Sequence, residues 1–514
     1  MVPSSVMEGD RGEAARRFHD ATKHSYQSVR HVPHFLDWDN QPLPFKLYRA
    51  VRAIPLPDVS EAGKVSAFAA MNAQASTRIS KKALDLEALA RILFYTAGIT
   101  KKRDYPGGQM LFRAAACTGA LYHIELYLVS GSVDGLDAGV YHYSPKLGAL
   151  EVLRDGDWRE SLVEASGGVS RLREARAAIV LTSTYWRNAW KYGARAYRHT
   201  FWDSGTMLAN LLAMTSALEV PAHLVLGFAD EDVNRLLDVD SNKEAAVAIV
   251  SLGGGASEIP KAPGAVEPLG LETVPLSRTE VDYPLIRETH RASSLGDGER
   301  ARTWRQQGAV PPRLRAKDAR PADAGTAPIE SVIRRRGSSR RFERASISYD
   351  ALSTILATAS HGVDGDVFDS GATLTDLYVI ANDVDDLAQG TYFYEPGENT
   401  LTLLKNGSFR SEARYLDLEQ ELAGDASANI YVLVSLELLL ERLGERGYRL
   451  AQLEGGVVGG RVYLASYALG LGASGLTFFD DAVTEFFSPH AAGKAVMFLV
   501  AVGVPGKRTV SSRR

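Results

Sequence analysis

Two halves of this sequence carry the same pattern of residues, displaced by a constant number of positions. The first matched pair is Gly139 and Gly390, an offset of 390 − 139 = 251. The register is kept as far as Phe228 and Phe479, over 228 − 139 = 89 residues. Further matches are Tyr141 with Tyr392, Tyr143 with Tyr394, Gly193 with Gly444, Tyr197 with Tyr448, Arg198 with Arg449, and Gly205 with Gly456. A repeat of this length predicts two homologous lobes.

Composition limits the class of protein. The chain has 514 residues, of which 45% are hydrophobic and 23% are charged, values that are ordinary for globular proteins. The net charge of −4 gives no reason to expect nucleic acid or an anionic membrane as the main partner. The single cysteine, Cys117, excludes an intramolecular disulfide and fits a reducing compartment. The N-terminus has no apolar stretch typical of a signal peptide, so we expect a cytoplasmic protein.

The repeat also predicts the domain organisation. Residues 253–328 are rich in glycine, proline and alanine and separate the copies. We therefore expect a first lobe over residues 1–260, a connector over 261–328 and a second lobe over 329–514. Residues 288–294 (ETHRASS) of the connector echo residues 18–23 (FHDATK), so both segments are expected to pack against the lobes.

Each copy presents the same order of secondary structure. An amphipathic helix comes first, with apolar residues at three-and-four spacing around Leu89 in one copy and Leu352 in the other. Runs rich in β-branched and aromatic residues then predict strands at 124–129, 140–143, 178–182 and 247–252, and at 377–381, 391–394, 430–434 and 496–502. Helices mixed with an antiparallel or mixed sheet indicate an α+β fold. Two related lobes on one chain would most simply form an intramolecular pseudo-dimer.

Several of these segments carry a family resemblance. Residues 113–128 (RAAACTGALYHIELYL), 190–198 (WKYGARAYR), 203–211 (DSGTMLANL) and 336–342 (RGSSRRF) resemble the SagB-type dehydrogenases of the FMN-dependent nitroreductase superfamily. The resemblance implies a nitroreductase-like α+β fold that forms dimers, with FMN bound at the interface between subunits. Here the second subunit is expected to be fused in tandem with the first.

The resemblance assigns one segment to the flavin phosphate. A dianionic phosphate needs guanidinium and hydroxyl donors gathered in one place. The superfamily supplies them in an R-x-S-x-R-x-F segment, and the second copy matches it with Arg336, Ser338, Arg340 and Phe342. The corresponding positions of the first copy hold Gln74, Ser76, Arg78 and Ser80, which lack the first arginine and the phenylalanine. The alternative is a solvated basic stretch with no ligand.

A second segment is the loop that borders the flavin ring from the opposite subunit. The first copy retains it as Cys117, Thr118, Gly119, Ala120, Leu121 and Tyr122. The second copy, with SGATLTDLYVI, does not. Family prolines and a serine are replaced by Ala116, Cys117 and His123, while the glycine turn is kept. For Cys117 we favour a small packed residue over a nucleophile, because no base motif accompanies it.

A third segment is a glycine-rich turn after the long helix of the second copy. In the family, its backbone N–H groups meet the edge of the flavin, and glycine permits the close approach. The matching residues are Gly470, Leu471, Gly472, Ala473, Ser474 and Gly475, whereas the first copy has Glu219, Val220, Pro221, Ala222, His223 and Leu224 there. A simple helix C-cap is the alternative. Lys507 and Arg508 stand where relatives often place another phosphate ligand, although they could equally belong to a basic tail.

The family resemblance assigns the chemistry to Lys191 and Tyr192. Such a pair can take up a proton while the flavin accepts a hydride, provided that burial lowers the lysine pKa. The second copy has Arg442 and Leu443 at these places, which could not do so. An exposed lysine beside a packed tyrosine is the alternative. The family's D-x-G-H helix start lacks its histidine, because Thr206 stands in that position.

The losses in the two copies are complementary. Joining the phosphate and glycine segments of the second copy to the loop and Lys-Tyr pair of the first gives one nearly complete site. We therefore predict one FMN per chain and no metal.

The expected activity is an FMN-dependent oxidation of an azoline or similar bond in peptide natural-product biosynthesis, with O2 as electron acceptor. The substrate would be a small molecule or a peptide-borne heterocycle. One alternative is an NAD(P)H-dependent nitro- or quinone reductase. Another is a flavin-free partner subunit of a biosynthetic complex.

Overall fold

The computed structural model describes residues 11–31, 34–59, 61, 63–72, 84–105, 108–255, 259–307, 326–367 and 373–506. Within these ranges, no helix is long and apolar enough to cross a membrane.

The first lobe is built on a seven-stranded antiparallel sheet in the order β1-β6-β5-β4-β7-β9-β8. Its central strands are buried along their whole length, which explains their continuous runs of apolar residues. A separate hairpin pairs β2 with β3. The strands are β1 Ala53–Pro55, β2 Ile99–Tyr105, β3 Gly108–Arg113, β4 Ile124–Ser130, β5 Gly139–Ser144, β6 Ala149–Asp155, β7 Ala177–Thr184, β8 Ala222–Val225 and β9 Glu244–Leu252.

The second lobe repeats this sheet. Its strands follow the order β10-β16-β14-β11-β12-β13, with β15 also paired to β16, and every pairing is antiparallel. The strands are β10 Phe342–Glu343, β11 Thr375–Ala381, β12 Gly390–Glu395, β13 Thr400–Asn406, β14 Ala428–Val434, β15 Gly472–Gly475 and β16 Ala495–Pro505. The expected α+β fold with two homologous lobes is confirmed.

Helices cover the sheets and connect the lobes. Those of the first lobe are α1 Glu13–Ala21, α2 Tyr26–His31, α3 Ala67–Asn72, α4 Leu86–Ala97, α5 Arg159–Ala165, α6 Ser170–Arg173, α7 Tyr185–Tyr192, α8 Ala196–Ala217 and α9 Asp230–Leu236. The connector contains α10 Pro284–Ala292 and α11 Gly298–Gln307. The second lobe has α12 Ile329–Arg335, α13 Tyr349–Ala359, α14 Arg410–Leu416, α15 Glu421–Asp425, α16 Leu436–Leu443, α17 Glu445–Ala468 and α18 Asp480–Phe487.

The repeated amphipathic helices α4 and α13 begin with the same kind of cap. The Asp85 carboxylate accepts from the Ala88 N–H at 2.8 Å, and the Ser348 hydroxyl accepts from the Ala351 N–H at 3.2 Å. Each cap satisfies one backbone donor that the first helical turn leaves unpaired. The helix starts are therefore determined locally in both copies.

The long helices α8 and α17 bring the lobes together. Both are buried on nearly every side, which explains why neither has a polar face. They touch at the repeated glycines Gly205 and Gly456. A Cβ at Gly205 would lie 2.5 Å from the carbonyl carbon of Gly456, closer than side chains can pack. The two backbones therefore cross in direct contact.

A buried cluster of two arginines and one aspartate also joins the lobes. The Asp230 carboxylate of the first lobe accepts from Arg446 and Arg449 of the second, each at 2.6 Å. Arg449 also donates to the His290 carbonyl and the Ser293 hydroxyl at the end of α10. The connector helix is thus part of the contact between lobes.

The reverse cluster has the same composition. Asp480 of the second lobe accepts from Arg195 at 3.1 Å and from Arg198 at 2.5 Å, both from the first lobe. Arg198 also donates to the His19 carbonyl and the Thr22 hydroxyl at the end of α1. Residues 18–23 and 288–294, which echo each other in sequence, therefore occupy equivalent places in the structure.

We expect Asp230→Asn to lower the free energy of unfolding by about 3–5 kcal/mol, because it leaves two buried guanidinium groups without a counter-charge. Chemical denaturation measures the change. The control is Asp481→Asn, which removes a carboxylate whose side chain is 80% exposed and should change stability by less than about 1 kcal/mol. Equal effects of the two substitutions would contradict the assignment.

The same carboxylate makes stability depend on pH. Burial alone would raise the pKa of Asp230, but Arg446 and Arg449 outweigh it and lower the pKa from 3.8 to about 2. The folded state therefore gains stability from this group above pH 4 and loses it as the pH falls toward 2. The stability difference between the wild type and Asp230→Asn should narrow over that interval.

Candidate functional site

The loop that follows β3 is held by a single carboxylate. The Thr118 backbone N–H lies 3.0 Å from both oxygens of Asp203, and the Thr118 hydroxyl donates to Oδ1 at 2.8 Å. The Cys117 thiol donates to Oδ2 at 3.1 Å. Asp203 belongs to α8 and is 3% exposed, so the loop is fixed to the long helix that makes the contact between lobes.

The backbone of this loop turns sharply. Gly119 has φ 63°, and Ala120 and Tyr122 also have positive φ values of 54° and 49°. Left-handed conformations are unfavourable for residues with a Cβ and persist only when the surroundings impose them. The Asp203 contacts supply that constraint, together with the Arg187 guanidinium, which donates to the Tyr122 carbonyl at 2.8 Å.

His123 continues the hydrogen-bond network into the core. Its Nε2 lies 2.9 Å from Asp203 Oδ2 and its Nδ1 lies 3.0 Å from the Ser183 hydroxyl. The Cys117 sulfur, the His123 nitrogen and the Asp203 oxygen lie within 4.8 Å of one another, a grouping that can hold a metal. Asp203 contacts Cys117 and His123 at hydrogen-bond distances, so we interpret the group as a network that orders the loop.

Cys117 is placed as a structural thiol. Desolvation and the neighbouring Asp203 carboxylate raise the pKa of Cys117 well above its usual value. The sulfur accepts from the Tyr122 N–H at 3.0 Å while the thiol donates to Asp203. The thiol is protonated, and it both donates and accepts a hydrogen bond. This supports the prediction that Cys117 is a small packed residue and not a nucleophile.

The Lys-Tyr pair ends helix α7 beside the loop. A Cβ at Gly119 would lie 2.7 Å from the Tyr192 hydroxyl, so the tyrosine tip rests on the glycine turn. The Tyr192 ring also meets the His199 ring edge-on at 4.7 Å. Lys191 is half-buried, with Nζ 5.3 Å from the centre of the Tyr192 ring. The structure thus brings both predicted residues to one side of the loop.

The tyrosine hydroxyl stays protonated. Burial raises the pKa of Tyr192, and the Asp203 carboxylate and Cys117 add to the increase, while Arg340 of the second lobe opposes it. At neutral pH the group is therefore a phenol that can donate a hydrogen bond.

Arg336 joins the phosphate segment directly to the first lobe. Its Nε donates to the Ala114 carbonyl at 3.0 Å and its Nη2 to the Arg113 carbonyl at 2.9 Å. These carbonyls precede the loop that begins at Cys117. Arg336 therefore links the two lobes through two of its three guanidinium nitrogens.

A tyrosine of α17 connects the phosphate segment to β15. The Tyr463 hydroxyl lies 3.0 Å from the Ser338 hydroxyl and accepts from the Gly475 N–H at 2.5 Å. The Ser339 N–H donates to the Ala473 carbonyl at 2.9 Å. The phosphate segment and the glycine-rich segment are therefore one structural unit.

The glycine-rich segment differs from the predicted turn. Residues 472–475 form the strand β15, in which Ala473 pairs with Val502 of β16. Gly470 directly follows the C-cap residue Leu469 of the preceding helix and has a φ of 77°, and the Leu471 N–H donates to the Ser466 carbonyl at 2.8 Å. The C-cap alternative therefore describes the start of the segment, at Gly470, and the strand describes its remainder. Burial of Ala473 and Ser474 against β16 favours the extended backbone.

The residues that remain available suit an anionic group. Arg340 is exposed and makes no hydrogen bond or ion pair with another described residue. The Ser339 hydroxyl is buried and has no partner there. A Cβ at Gly472 would overlap this hydroxyl, so only glycine leaves the cradle open. A phosphate monoester fits a cradle of one guanidinium, one unpaired hydroxyl and close backbone.

Some predicted residues lie outside the described residues. They are Lys507 and Arg508 at the end of the second copy, and Gln74, Ser76, Arg78 and Ser80 in the first copy.

Sequence reasoning missed two residues on which the site depends. Asp203 was noted only as part of a helix start, and nothing in the sequence links it to Thr118. Tyr463 was detectable, because it stands where the first copy has Leu212, 463 − 212 = 251 positions earlier. Only the second copy therefore carries a hydroxyl at this point of the long helix.

Comparison with known proteins identifies the family of this chain. The chain belongs to the Nitroreductase family, which it matches twice, over residues 79–254 and 333–504. The family resemblance inferred from the sequence is confirmed. Members of this family typically bind FMN.

Two curated relatives are named as processing proteins. The chain is 28% identical over 157 residues to the microcin B17-processing protein McbC of Escherichia coli, covering 30% of this chain and 54% of the relative. It is 27% identical over 219 residues to the trifolitoxin-processing protein TfxB of Rhizobium leguminosarum bv. trifolii, covering 40% and 58%. The chain thus spans little more than half the length of these two relatives.

One solved structure matches across both lobes. It is a protein of Anabaena variabilis, provisionally named a nitroreductase, with 26% sequence identity and a TM-score of 0.76. The match covers 97% of this chain and 100% of the other. The arrangement of two nitroreductase lobes on one chain is therefore shared.

We expect Asp203→Asn to make Cys117 more reactive toward a disulfide reagent. The substitution removes the charge of Asp203, which raises the thiol pKa, and leaves only a neutral amide as the acceptor of the thiol hydrogen bond. The labelling rate as a function of pH should therefore shift to lower pH, and Cys117 is the only thiol that can respond. Glu454→Gln is the matched control, because Glu454 holds Leu374 in the second lobe as Asp203 holds Thr118. An unchanged profile in Asp203→Asn would contradict the anchoring role.

Proposed function

We propose that the protein is an FMN-dependent oxidoreductase with one flavin site per chain, formed between the lobes. The observation that carries this proposal is the direct contact of the phosphate segment with the first lobe. Arg336 donates to the Ala114 and Arg113 carbonyls, just ahead of the first-lobe loop at residues 117–122. Segments lost from one copy are thus supplied by the other.

The residues present divide into two binding regions. Arg340, the Ser338 and Ser339 hydroxyls and the backbone around Gly472 would hold the phosphate. Residues 117–122 would border the ring system, with Lys191, Tyr192 and β15 at its edge. FMN, when bound there, would accept a hydride from the substrate.

We assign separate proton roles to Lys191 and Tyr192. Oxidation of an azoline to an azole removes one hydride and one proton from the ring. Tyr192 remains a phenol, so it orients the substrate as a hydrogen-bond donor instead of acting as the base. Lys191 is the neighbouring amine and would take up the proton.

The proposed substrate is a peptide-borne azoline or a similar carbon–nitrogen bond. The relatives McbC and TfxB are named for the processing of peptide products, which supports this class of substrate. Dioxygen would be the final electron acceptor, and other proteins of a biosynthetic complex would be partners. We also propose that the first lobe spans residues 1–260, the connector residues 261–328 and the second lobe residues 329–514.

A reductase is the second candidate. The Anabaena protein that matches both lobes is named a nitroreductase, which favours a nitro- or quinone reductase. Stopped-flow mixing of the flavin-loaded protein with NADH or NADPH separates the candidates. Fast bleaching of the flavin by either nucleotide would favour the reductase over the azoline oxidase. A purified protein that contains no flavin and binds none would instead favour the non-catalytic partner subunit.

Flavin released from the denatured protein should approach one mole per mole of chain. Arg340→Ala should lose most of the bound flavin, because it removes the exposed guanidinium of the phosphate cradle. Arg78→Ala, at the equivalent position of the first copy, is the matched control and should retain it. A stoichiometry near two would refute the single site.

Lys191→Ala should retain FMN but oxidise a model thiazoline at least about 100-fold more slowly, as expected for loss of a positioned base. Tyr192→Phe, which keeps the ring packing but removes the donor, should have a smaller effect. Arg442→Ala, at the equivalent position of the second copy, is the control. Full activity of Lys191→Ala with bound FMN would rule out the proton-accepting role.

A further inference from the structure

A cavity lies between α7 and the connector. Its volume is about 520 Å³, within the range of small-molecule sites. One wall is the α7 face made by Tyr185, Trp186 and Ala189. The opposite wall belongs to the connector and consists mainly of Pro275, Ser277, Thr279, Val281, Tyr283 and Ile286.

The walls of this cavity are held in place by hydrogen bonds. The Trp186 indole N–H donates to the Ser277 hydroxyl at 2.9 Å, and that hydroxyl donates to the Asn40 carbonyl at 2.9 Å. Asn40 also donates to the Thr279 carbonyl at 2.9 Å and accepts from its N–H at 3.1 Å. The connector is thus pinned over α7, and the cavity is formed without a ligand.

The lining favours an uncharged apolar ligand. Both acidic groups of the lining have cationic partners, and the third cation of the lining, Arg278, donates to the Asp39 carbonyl at 3.1 Å. Lys243 lies 3.7 Å from Glu280, and Arg287 lies 2.6 Å from Asp282. The α7 wall between these pairs is aromatic and aliphatic, which suits aromatic or aliphatic groups.

The cavity adjoins the proposed active site. Tyr192 ends the helix whose side chains form one wall, about 4.5 Å along the axis from Ala189 at the usual rise per residue. Tyr283 forms part of the other wall and also packs beside Gly193, where a Cβ would lie 3.5 Å from its ring. Tyr192, Trp186 and Tyr283 belong to one hydrophobic cluster.

The equivalent position of the second lobe carries a larger side chain. The position of Ala189 corresponds to Leu440, 440 − 189 = 251 residues later. Gly12 precedes α1 in the way that Tyr283 precedes α10. It contacts Leu440 closely, since a Cβ at Gly12 would lie 2.7 Å from the leucine Cβ. Among the described residues, the cavity thus lies beside the lobe that carries Lys191 and Tyr192.

We infer that this cavity binds the apolar part of the substrate whose ring is oxidised at Tyr192. The ligand class is an aromatic or branched aliphatic group attached to the azoline, such as a hydrophobic side chain next to it in a peptide. This inference rests on the proposed function, since it places the ring beside Tyr192.

The test compares two probes, 2-methylthiazoline-4-carboxamide and 2-benzylthiazoline-4-carboxamide, on the FMN-loaded protein. Binding is measured by calorimetry, and oxidation is followed separately. The benzyl compound should bind the wild type roughly 10-fold or more tightly than the methyl compound, as expected for an added apolar group in a matching pocket. Ala189→Leu, which introduces the second-lobe residue, should remove this preference without weakening the methyl compound.

A second variant guards against misfolding at the buried Ala189. Val281 lines the cavity and is 53% exposed, so Val281→Trp should fold normally and also reduce the benzyl preference. Leu440→Ala is the matched control and should keep the preference for the benzyl compound. A benzyl preference that is absent in the wild type, or that survives both cavity substitutions, overturns the inference.

The two proposals fail in different ways. Benzyl-selective binding that depends on Ala189, without oxidation of either probe, would support the cavity as a site for apolar ligands and count against azoline oxidation. Oxidation of both probes with no benzyl preference would support the oxidase and overturn the role of the cavity.

Discussion

The contact between the backbones of α8 and α17 is the constraint on which the structure depends. Because Gly205 and Gly456 leave no room for side chains, the helices can cross only with these residues in register. Asp203 lies just ahead of this crossing and holds the first-lobe loop. Tyr463 lies farther along the partner helix and holds the phosphate segment. The crossing of α8 and α17 therefore positions both the first-lobe loop and the phosphate segment of the proposed site.

The reciprocal arginine–aspartate clusters make the lobes interdependent. Each cluster takes its carboxylate from one lobe and both guanidinium groups from the other, and a helix outside the sheet completes it. The hydrophobic cores are shared in the same way, because Phe68 and Tyr95 of the first copy pack in one cluster with Leu352 and Val379 of the second. Neither lobe encloses its core alone.

The repeat made much of the fold predictable from the sequence. Strands such as Ile124–Ser130 and Ala428–Val434 were foreseen to within a few residues, since their apolar runs identify buried sheet. The segment at 472–475 was not, because its extended backbone comes from pairing with a distant strand. The contacts of Asp203 could not be predicted from the sequence either. They join residues 85 positions apart, and only packing determines them.

Covalent linkage of the lobes has an evolutionary consequence. In a homodimer, every substitution enters both interface sites at once, so a change that improves one site is copied into the other. In a tandem chain the two positions mutate separately. Ala189 and Leu440 illustrate the result, since the same position of the repeat carries a small side chain in one copy and a large one in the other. Two related lobes on one chain can thus diverge position by position, one toward ligand recognition and the other toward packing.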